Sequence, residues 1–205
     1  MRNFSLLLSV LTLSSLVACG DDDDDDSDSD TDTDTDTDTD TDTDTDTDAD
    51  CTDGFTCPDD TYCEVPNQIN DDTTLCADVD WLLTGPTFVG DGEGTNATLT
   101  IDAGVQIFGN AAGTVPHLTI QRGSKIMANG TATDPIVMTS AAATPAQGNW
   151  GGLVINGFAP INACSETTAT GGSADCEKSG EGSSGLFGGA TADDDSGSLN
   201  YVIVE

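Results

Sequence analysis

The chain has 205 residues, with 38 Asp and Glu against four Lys and Arg, and a formal net charge of −34. This negative charge excludes electrostatic binding to DNA, RNA or anionic lipid, because the phosphates would be repelled. Eighteen of the acidic residues lie within residues 21–50, and the 155 residues that follow are enough for one modest hydrophobic core.

The first 19 residues have the layout of an export signal. Arg2 is a short positive region, and residues 4–18 form an apolar stretch too short to span ~30 Å of hydrocarbon as a helix. The stretch ends in LVAC, which resembles the bacterial lipobox, in which the Cys is acylated and becomes the first residue after cleavage. The resemblance implies a signal peptide over residues 1–18 and a lipid anchor on Cys19. With Gly20 in the next position, it also implies attachment to the outer membrane. The acidic run after the Cys resembles the surface-export signals of some Gram-negative lipoproteins, which implies display at the cell surface. The alternative is an ordinary leader with a chance cysteine.

A long acidic segment follows the lipobox. Residues 21–26 are all Asp, and Thr-Asp repeats nine times over residues 31–48. The alternation formally fits a strand, but it offers no apolar face, and pairing would place like charges opposite each other. We therefore predict that residues 19–50 hold the lipidated Cys and a disordered, extended stalk. A calcium site in the repeat is the alternative, which is disfavoured because calcium-binding loops need a Gly and a later bidentate acid.

Six cysteines remain after Cys19, and an even number in an exported protein predicts disulfides. The first four predict a small disulfide module over residues 51–76 with two bridges, in any of three connectivities. Zinc is the alternative for these four, which is disfavoured because no CxxC pair occurs. The last two would close a surface loop of 13 residues, worth roughly 3 kcal/mol. The six are Cys51, Cys57, Cys63, Cys76, Cys164 and Cys176.

Residues 77–205 have an all-β signature, with short apolar runs separated by Gly, Asn and Asp. LTIDAGVQI at residues 99–107 aligns with LTIQRGSKI at residues 118–126, an offset of 19. A fixed period near 20 suggests a solenoid, in which each coil buries its apolar face against its neighbours.

The repeat gives specific expectations for its residues. We expect Leu99 to lie directly against Leu118 in stacked coils, and Thr119 to point outward. Gly104 and Gly123 sit where the chain turns a corner, and we expect a positive φ at both because glycine adopts it without a Cβ clash.

Three further segments carry a family resemblance. They are RGSKIMANGTATDPIVMTS (122–140), GNWGGLVINGFAPIN (148–162) and DDDSGSLNYVIVE (193–205). They resemble a group of large bacterial surface lipoproteins predicted to form right-handed parallel β-helices of pectin-lyase-like shape. The resemblance covers roughly residues 95–205 and implies an all-β fold, with a partial right-handed parallel β-helix over residues 77–205. It implies no established reaction.

Members of that group usually continue for several more coils. The resemblance therefore implies that the 205-residue chain is C-terminally truncated. The alternative is that another chain covers the open edge of its sheets.

A lyase on such a fold would need clustered Asp residues to hold calcium and a nearby Arg or Lys. Asp193, Asp194 and Asp195 are the calcium candidates, whereas Arg122 and Lys125 lie far from them in sequence. We therefore expect a solvated loop at 193–195, no catalytic residues, and no cofactor unless calcium binds there.

Other chemistry-bearing residues have structural interpretations. His117, the single histidine, has no nucleophile motif beside it, so we expect a structural role. Trp150 could stack on a sugar, but we expect it to pack at a corner, and we expect Trp81 to pack where the Cys-rich segment meets the first coil. The Gly-rich residues 171–189 lack a phosphate-loop pattern, which excludes nucleotide binding.

These observations predict a lipid-anchored surface protein whose β-helix is a non-enzymatic module for adhesion or for binding glycan or matrix. Its expected partners are the membrane, through Cys19, and a polysaccharide or matrix ligand, but no nucleic acid. One alternative is a carbohydrate-active lyase or hydrolase, and another is a structural spacer or coat component. An enzyme would need Asp193–Asp195 to converge with Arg122 or Lys125 in a cleft.

Overall fold

The computed structural model describes residues 52, 54–59, 61–110, 113–165 and 168–205. The predicted signal peptide, Cys19, the acidic stalk and Cys51 lie outside these described residues. Within the described ranges, no helix has the length and apolar character needed to cross a membrane.

The described residues form 16 short strands and one 3₁₀ helix, Glu181–Ser183. Such short strands follow from the sequence, in which Gly, Asn and Asp interrupt each apolar run after a few residues. In chain order the strands are β1 (Thr56–Asp59), β2 (Tyr62–Glu64), β3 (Gln68–Ile69), β4 (Thr73–Leu75), β5 (Asp80–Leu83), β6 (Thr87–Val89), β7 (Thr98–Ile101), β8 (Gln106–Gly109), β9 (Leu118–Ile120), β10 (Lys125–Asn129), β11 (Ile136–Ser140), β12 (Leu153–Ile155), β13 (Lys178–Ser179), β14 (Leu186–Phe187), β15 (Gly197–Asn200) and β16 (Val202–Val204).

Most of these strands belong to three sheets. The first sheet has the order β1-β2-β5-β8-β11-β16, the second β15-β10-β7-β4 and the third β12-β9-β6-β3. All pairs in them are parallel except β1 with β2. From β2 to β12, consecutive strands enter the three sheets in strict rotation, so each strand pairs with the strand three elements further along.

The expected stacking of Leu99 on Leu118 is wrong. Leu99 lies in β7 and pairs with Ile126 of β10, whereas Leu118 lies in β9 and pairs with Leu153 of β12. The 19-residue offset arises because one strand–corner–strand unit occurs twice, as β7–β8 and as β9–β10. A full rotation needs a third strand, and the paired positions of β7 and β10 are 27 residues apart.

The expected corner geometry is confirmed. Gly104 has φ of 85° and Gly123 has φ of 82°. In both corners the chain also closes a tight turn, because Val105 N–H donates to the Asp102 carbonyl and Ser124 N–H donates to the Gln121 carbonyl. The sequence repeat is therefore a repeat of the corner.

Alternate residues of the strands point inward and form one core. Leu99, Ile101, Leu118 and Ile120, at alternating positions of the two Leu-Thr-Ile strands, are all buried there. The remaining large core residues include Val65, Leu75, Trp81, Leu83, Ile107, Ile126, Ile136 and Met138.

Thr119, which we expected to point outward, is nevertheless fully buried. The outer face of β9 is itself covered: the Thr119 Oγ1 lies 3.0 Å from Nδ1 of His117, and Phe88 packs edge-on against that ring. The segment at Gly151 also lies against His117.

The first strands close one end of the sheets. Phe55 packs edge-on against the buried Trp81 with ring centroids 4.6 Å apart, and Trp81 Nε1–H donates to the Cys76 carbonyl at 2.8 Å. A disulfide between Cys57 and Cys63 joins β1 to β2, and Cys76 is also disulfide-bonded. Since β2, β3 and β4 pair with β5, β6 and β7, the sheets continue without a break across the predicted boundary at residue 77.

Residues 156–196 leave the sheets between β12 and β15, and we call this segment the insertion. It contains the antiparallel hairpin of β13 and β14, the 3₁₀ helix, and the predicted disulfide between Cys164 and Cys176.

Candidate functional site

Arg122, in the corner between β9 and β10, holds the insertion against the sheets. Only 6% of its surface is exposed. Its Nη1 donates to Glu177 Oε1 at 2.6 Å and to the Gly188 carbonyl at 3.2 Å, and its guanidinium carbon lies 4.9 Å from the ring centroid of Phe158. The buried charge is therefore paired with one carboxylate and one aromatic ring, as a buried charge requires.

Two amides, one at the corner beside Arg122 and one at the first residue of the insertion, hold the carbonyl of Ser184. Gln121 Nε2 donates to the Ser184 carbonyl at 3.3 Å, and Asn156 Nδ2 donates to the same carbonyl at 2.6 Å. Both amides are buried, so they satisfy a backbone oxygen of the insertion that would otherwise lose its water.

A groove of about 440 Å³ runs beside Arg122, and we call it the Arg122 groove. It combines two carboxylates, one guanidinium and one amide with an aromatic and an aliphatic side chain. Its lining residues are Gly92, Glu93, Gly94, Asn96, Arg122, Phe158, Glu177 and Leu186.

One wall of the Arg122 groove is a loop organised by Asp91. The Asp91 Oδ1 accepts the backbone N–H groups of Glu93, Gly94 and Thr95 at 2.8–2.9 Å. These hydrogen bonds, that of Glu93 foremost, lower the pKa of Asp91 to about 2. The Asp91 carboxylate therefore orders this wall through the backbone N–H groups of the loop.

Two other grooves differ in character. One of about 420 Å³ lies between β12 and the insertion and is mainly apolar, with Ile155, Ile161 and Phe187 among its lining residues. The other, of about 480 Å³, lies beside Trp150 and Val204. Trp150 is partly buried against the core, and its Nε1–H donates to the Glu205 carbonyl at 2.5 Å.

The three predicted calcium candidates do not form one ligand set. Asp195 Oδ2 accepts from Lys125 Nζ at 2.7 Å, and its Oδ1 accepts the Gly197 N–H, whereas Asp194 Oδ2 accepts the Phe158 N–H at 2.8 Å. The hydrogen bond from Lys125 is the main cause that lowers the pKa of Asp195. Across the residues that the structure describes, no three His, Cys, Asp or Glu side chains gather as metal ligands would.

The structure thus brings Lys125 to Asp195, residues 70 positions apart in sequence. This ion pair is on the surface, and neither residue lines any of the three grooves described above. Arg122 is paired with Glu177 instead, in a position that sequence analysis did not foresee.

His117 lies inside the fold. Its Nδ1 is within hydrogen-bond distance of Thr119, and burial lowers the pKa of the imidazole. This position agrees with the structural role expected from sequence.

Glu93, Phe158 and Glu177 were not expected at a site. Glu93 and Glu177 are isolated residues in polar or Gly-rich stretches, and Phe158 lies in the 148–162 segment, whose family resemblance implied a fold but no site. The one feature of the sequence that pointed to this arrangement is the small number of Lys and Arg residues. A cation that is buried in such a chain must be paired with a carboxylate.

Comparison with known proteins identifies the family of the chain. A family model described as a pectate-lyase like beta helix domain matches residues 67–205, more than half of the chain. The chain belongs to this beta-helix family. Rotation of strands among three mainly parallel sheets is consistent with that membership, and the matched residues include β3 and β4, before residue 77. No curated protein and no solved structure matches the chain.

Proposed function

We propose that this beta-helix protein is a non-enzymatic, lipid-anchored surface module that binds a neutral glycan in the Arg122 groove. The observation that carries the proposal is the mixture of groups in that groove. Sugar hydroxyls can donate to the carboxylates of Glu93 and Glu177 and accept from Arg122. The C–H surface of a sugar can pack against Phe158 and Leu186.

The charge of the folded part favours a neutral ligand over a polyuronate such as pectate. Residues 51–205 carry 20 acidic and three basic side chains, a formal charge of −17. The Arg122 groove itself holds two carboxylates and one guanidinium. A polyanion would be repelled both at long range and in the groove.

The state of the cations supports binding rather than lyase chemistry. Arg122 is buried, and its guanidinium is already engaged by the Glu177 carboxylate and the Gly188 carbonyl. Lys125 is bound to Asp195 on an exposed surface.

The proposed location follows from the sequence. We propose that an acyl chain on Cys19 attaches the protein to the outer membrane and that the acidic residues 21–50 hold the β-helix away from it. We also propose that the three sheets wind around one axis as a right-handed solenoid. The strand rotation and the family membership support this winding.

A hydrolase is the second candidate function. The observation that favours it is the presence of Glu93 and Glu177 in one groove, because glycoside hydrolases use a pair of carboxylic acids.

Calorimetric titration of the full chain with neutral oligosaccharides and with oligogalacturonate tests the binding proposal. Glu93→Gln removes one carboxylate from the groove while keeping its shape, and Glu181→Gln is the matched control, since it removes the same charge from an exposed position outside this groove. We expect affinity for a neutral glycan to fall about tenfold in Glu93→Gln, as loss of a hydrogen bond to a charged group predicts, and to stay unchanged in Glu181→Gln.

Equal affinity in both variants, or preference for oligogalacturonate, would contradict the binding proposal. Release of new reducing ends from a neutral oligosaccharide by the wild-type chain, abolished by Glu93→Gln, would establish the hydrolase instead.

A further inference from the structure

The insertion depends on its disulfide, Cys164–Cys176, because it has little hydrophobic core of its own. Among the residues that the structure describes, Cys176 is the only buried hydrophobic side chain in residues 156–196. A segment of this kind cannot hold one shape by burial alone, and the disulfide supplies the missing constraint. The larger apolar side chains of the insertion are only partly buried, namely Phe158, Ile161, Leu186 and Phe187.

Both halves of this disulfide hold the backbone of Glu177. Cys176 directly precedes Glu177 in the chain. Ser165, which directly follows Cys164, donates its N–H to the Glu177 carbonyl at 3.0 Å. The disulfide therefore positions the carboxylate that accepts from Arg122 Nη1 at 2.6 Å.

The second acceptor of Arg122 is positioned in the same way. Arg122 Nη1 also donates to the Gly188 carbonyl at 3.2 Å. Gly188 lies directly against Cys176, since a Cβ on Gly188 would be 2.5 Å from the Cys176 carbonyl oxygen. Both groups that engage the buried guanidinium thus lie next to the disulfide.

We propose that this disulfide makes the Arg122 groove redox-sensitive, because it holds Glu177 in place and its reduction releases that residue. This regulation rests on the glycan binding proposed above. Arg122, Glu177 and Phe158 line the groove together, so a displaced insertion changes both its polar and its aromatic wall.

A dithiol reductant can reach the disulfide from one side, since Cys164 is partly exposed whereas Cys176 is fully buried. A thiolate of the reagent attacks the Cys164 sulfur, forms a mixed disulfide and expels Cys176 as a thiolate, which takes up a proton. The second thiol of the reagent then displaces the Cys164 sulfur, which leaves as a thiol. The protein disulfide gains two electrons and two protons, and the dithiol is oxidised to its own disulfide.

Reduction should lower the fraction of molecules in which the groove is assembled. Closing a ring between residues 12 positions apart favours the closed arrangement on the order of 100-fold by chain entropy. The contacts from Gln121 and Arg122 still favour that arrangement after reduction. Because apparent affinity scales with the competent fraction, we expect a smaller loss of affinity, about tenfold.

A double-mutant cycle between Arg122→Met and Glu177→Gln tests the positioning without any ligand, by urea unfolding of the full chain. We expect the two substitutions to be coupled about tenfold in the equilibrium constant of unfolding. In the Cys164→Ser/Cys176→Ser background we expect them to act nearly independently. A disulfide that merely stabilises the chain would lower stability and leave the coupling unchanged, and that result overturns the proposal.

Removal of the disulfide between β1 and β2 is the matched control. Neither Cys57 nor Cys63 lines the Arg122 groove. We expect Cys57→Ser/Cys63→Ser to lower stability and to keep the coupling between Arg122 and Glu177. Loss of the coupling in this variant as well overturns the proposal.

Amide exchange of the wild-type chain gives the same comparison if a substituted chain does not fold. After treatment with dithiol, we expect faster exchange at Ser165 and Gly188, whose N–H groups donate within the insertion. Exchange at Gly104, which donates to the Asp134 carbonyl, should stay unchanged. Unchanged exchange at Ser165 and Gly188 overturns the proposal.

Calorimetric titration with the neutral oligosaccharides used above measures the affinity of the oxidised and the dithiol-treated chain. We expect about tenfold weaker binding after reduction, and an equally weak affinity of Cys164→Ser/Cys176→Ser with or without dithiol. Equal affinity of the oxidised and reduced wild-type chain overturns the proposal. Absence of binding in every state, together with coupling that is lost in the double-serine background, refutes the glycan binding and supports the redox-dependent position of Glu177.

Discussion

Replacement of Gly197 by Ala tests how closely β15 approaches β10. Gly197 has φ of 112°, and a Cβ on it would overlap the carbonyl oxygen of Ile126 and lie 2.8 Å from the carbonyl carbon and amide nitrogen of that residue. These are backbone atoms, so no side chain can rotate to relieve the contact. The strands must separate, and the pairing of Ile126–Asn129 with Gly197–Asn200 is lost or shifted.

The loss of stability expected for Gly197→Ala can be worked out by comparison with Gly152→Ala. Gly152 has φ of 80° but open space where its Cβ would be. There the positive φ costs about 1–2 kcal/mol, offset by about 0.4–1 kcal/mol through the unfolded chain. Gly197→Ala adds the loss of several ladder hydrogen bonds at about 1 kcal/mol each, which gives about 3–5 kcal/mol in total.

Thermal unfolding of the full chain separates the cost of the positive φ from the cost of the lost ladder hydrogen bonds. At about 2–4 °C per kcal/mol for a protein of this size, we expect a midpoint lowered by about 3 °C in Gly152→Ala and by about 10 °C or more in Gly197→Ala. Equal midpoints in the two variants would refute the close approach of β15 to β10.

Three other perturbations have expected outcomes. Arg122→Met removes a buried cation and leaves the half-buried Glu177 without its partner, which should destabilise the protein by about 2–4 kcal/mol, whereas Lys125→Met, at an exposed ion pair, should cost much less; urea unfolding measures both, and similar losses would contradict the anchoring role of Arg122. Because the pKa of Asp91 is lowered to about 2 from 3.8, its ordering of the groove wall should persist above pH 4 and fade as pH falls through 2; amide exchange at residues 93–95 measures this, and an unchanged pH dependence in Asp91→Asn would refute it. Cys19→Ala should release the protein from membranes on fractionation, and continued membrane association would contradict the lipobox interpretation.

Sequence alone predicted the class of fold and the conformation of its corners. The corners could be predicted because the constraint is local: Gly104 and Gly123 are the residues that can take positive φ after a Leu-Thr-Ile strand. The 19-residue repeat was mistaken for one full rotation of the strands. The strand–corner–strand pattern of β7–β8 recurs in β9–β10, whereas the third strand of a rotation has no distinctive motif. Burial of Thr119 was missed because the residues covering β9, such as Gly151, are distant in sequence.

The candidate site was mostly beyond prediction from sequence. Arg122 lies at a corner that the repeat located, but its partner Glu177 is 55 residues away, inside an insertion with no periodicity. The same holds for Lys125 and Asp195. Pairings of this kind depend on how the insertion folds back, and a single sequence carries no local signal for that.

The insertion shows how such a scaffold can diversify. Paired positions in β7 and β10 are 27 residues apart, whereas those in β10 and β15 are 71 apart, yet both pairs align in the same parallel register. The sheets therefore impose no limit on the length of the segment that connects two paired strands, and the insertion between β12 and β15 is such a segment. Exchange of residues 156–196 alone could give descendants of one ancestral framework different ligand preferences, provided that each replacement supplies a carboxylate for Arg122.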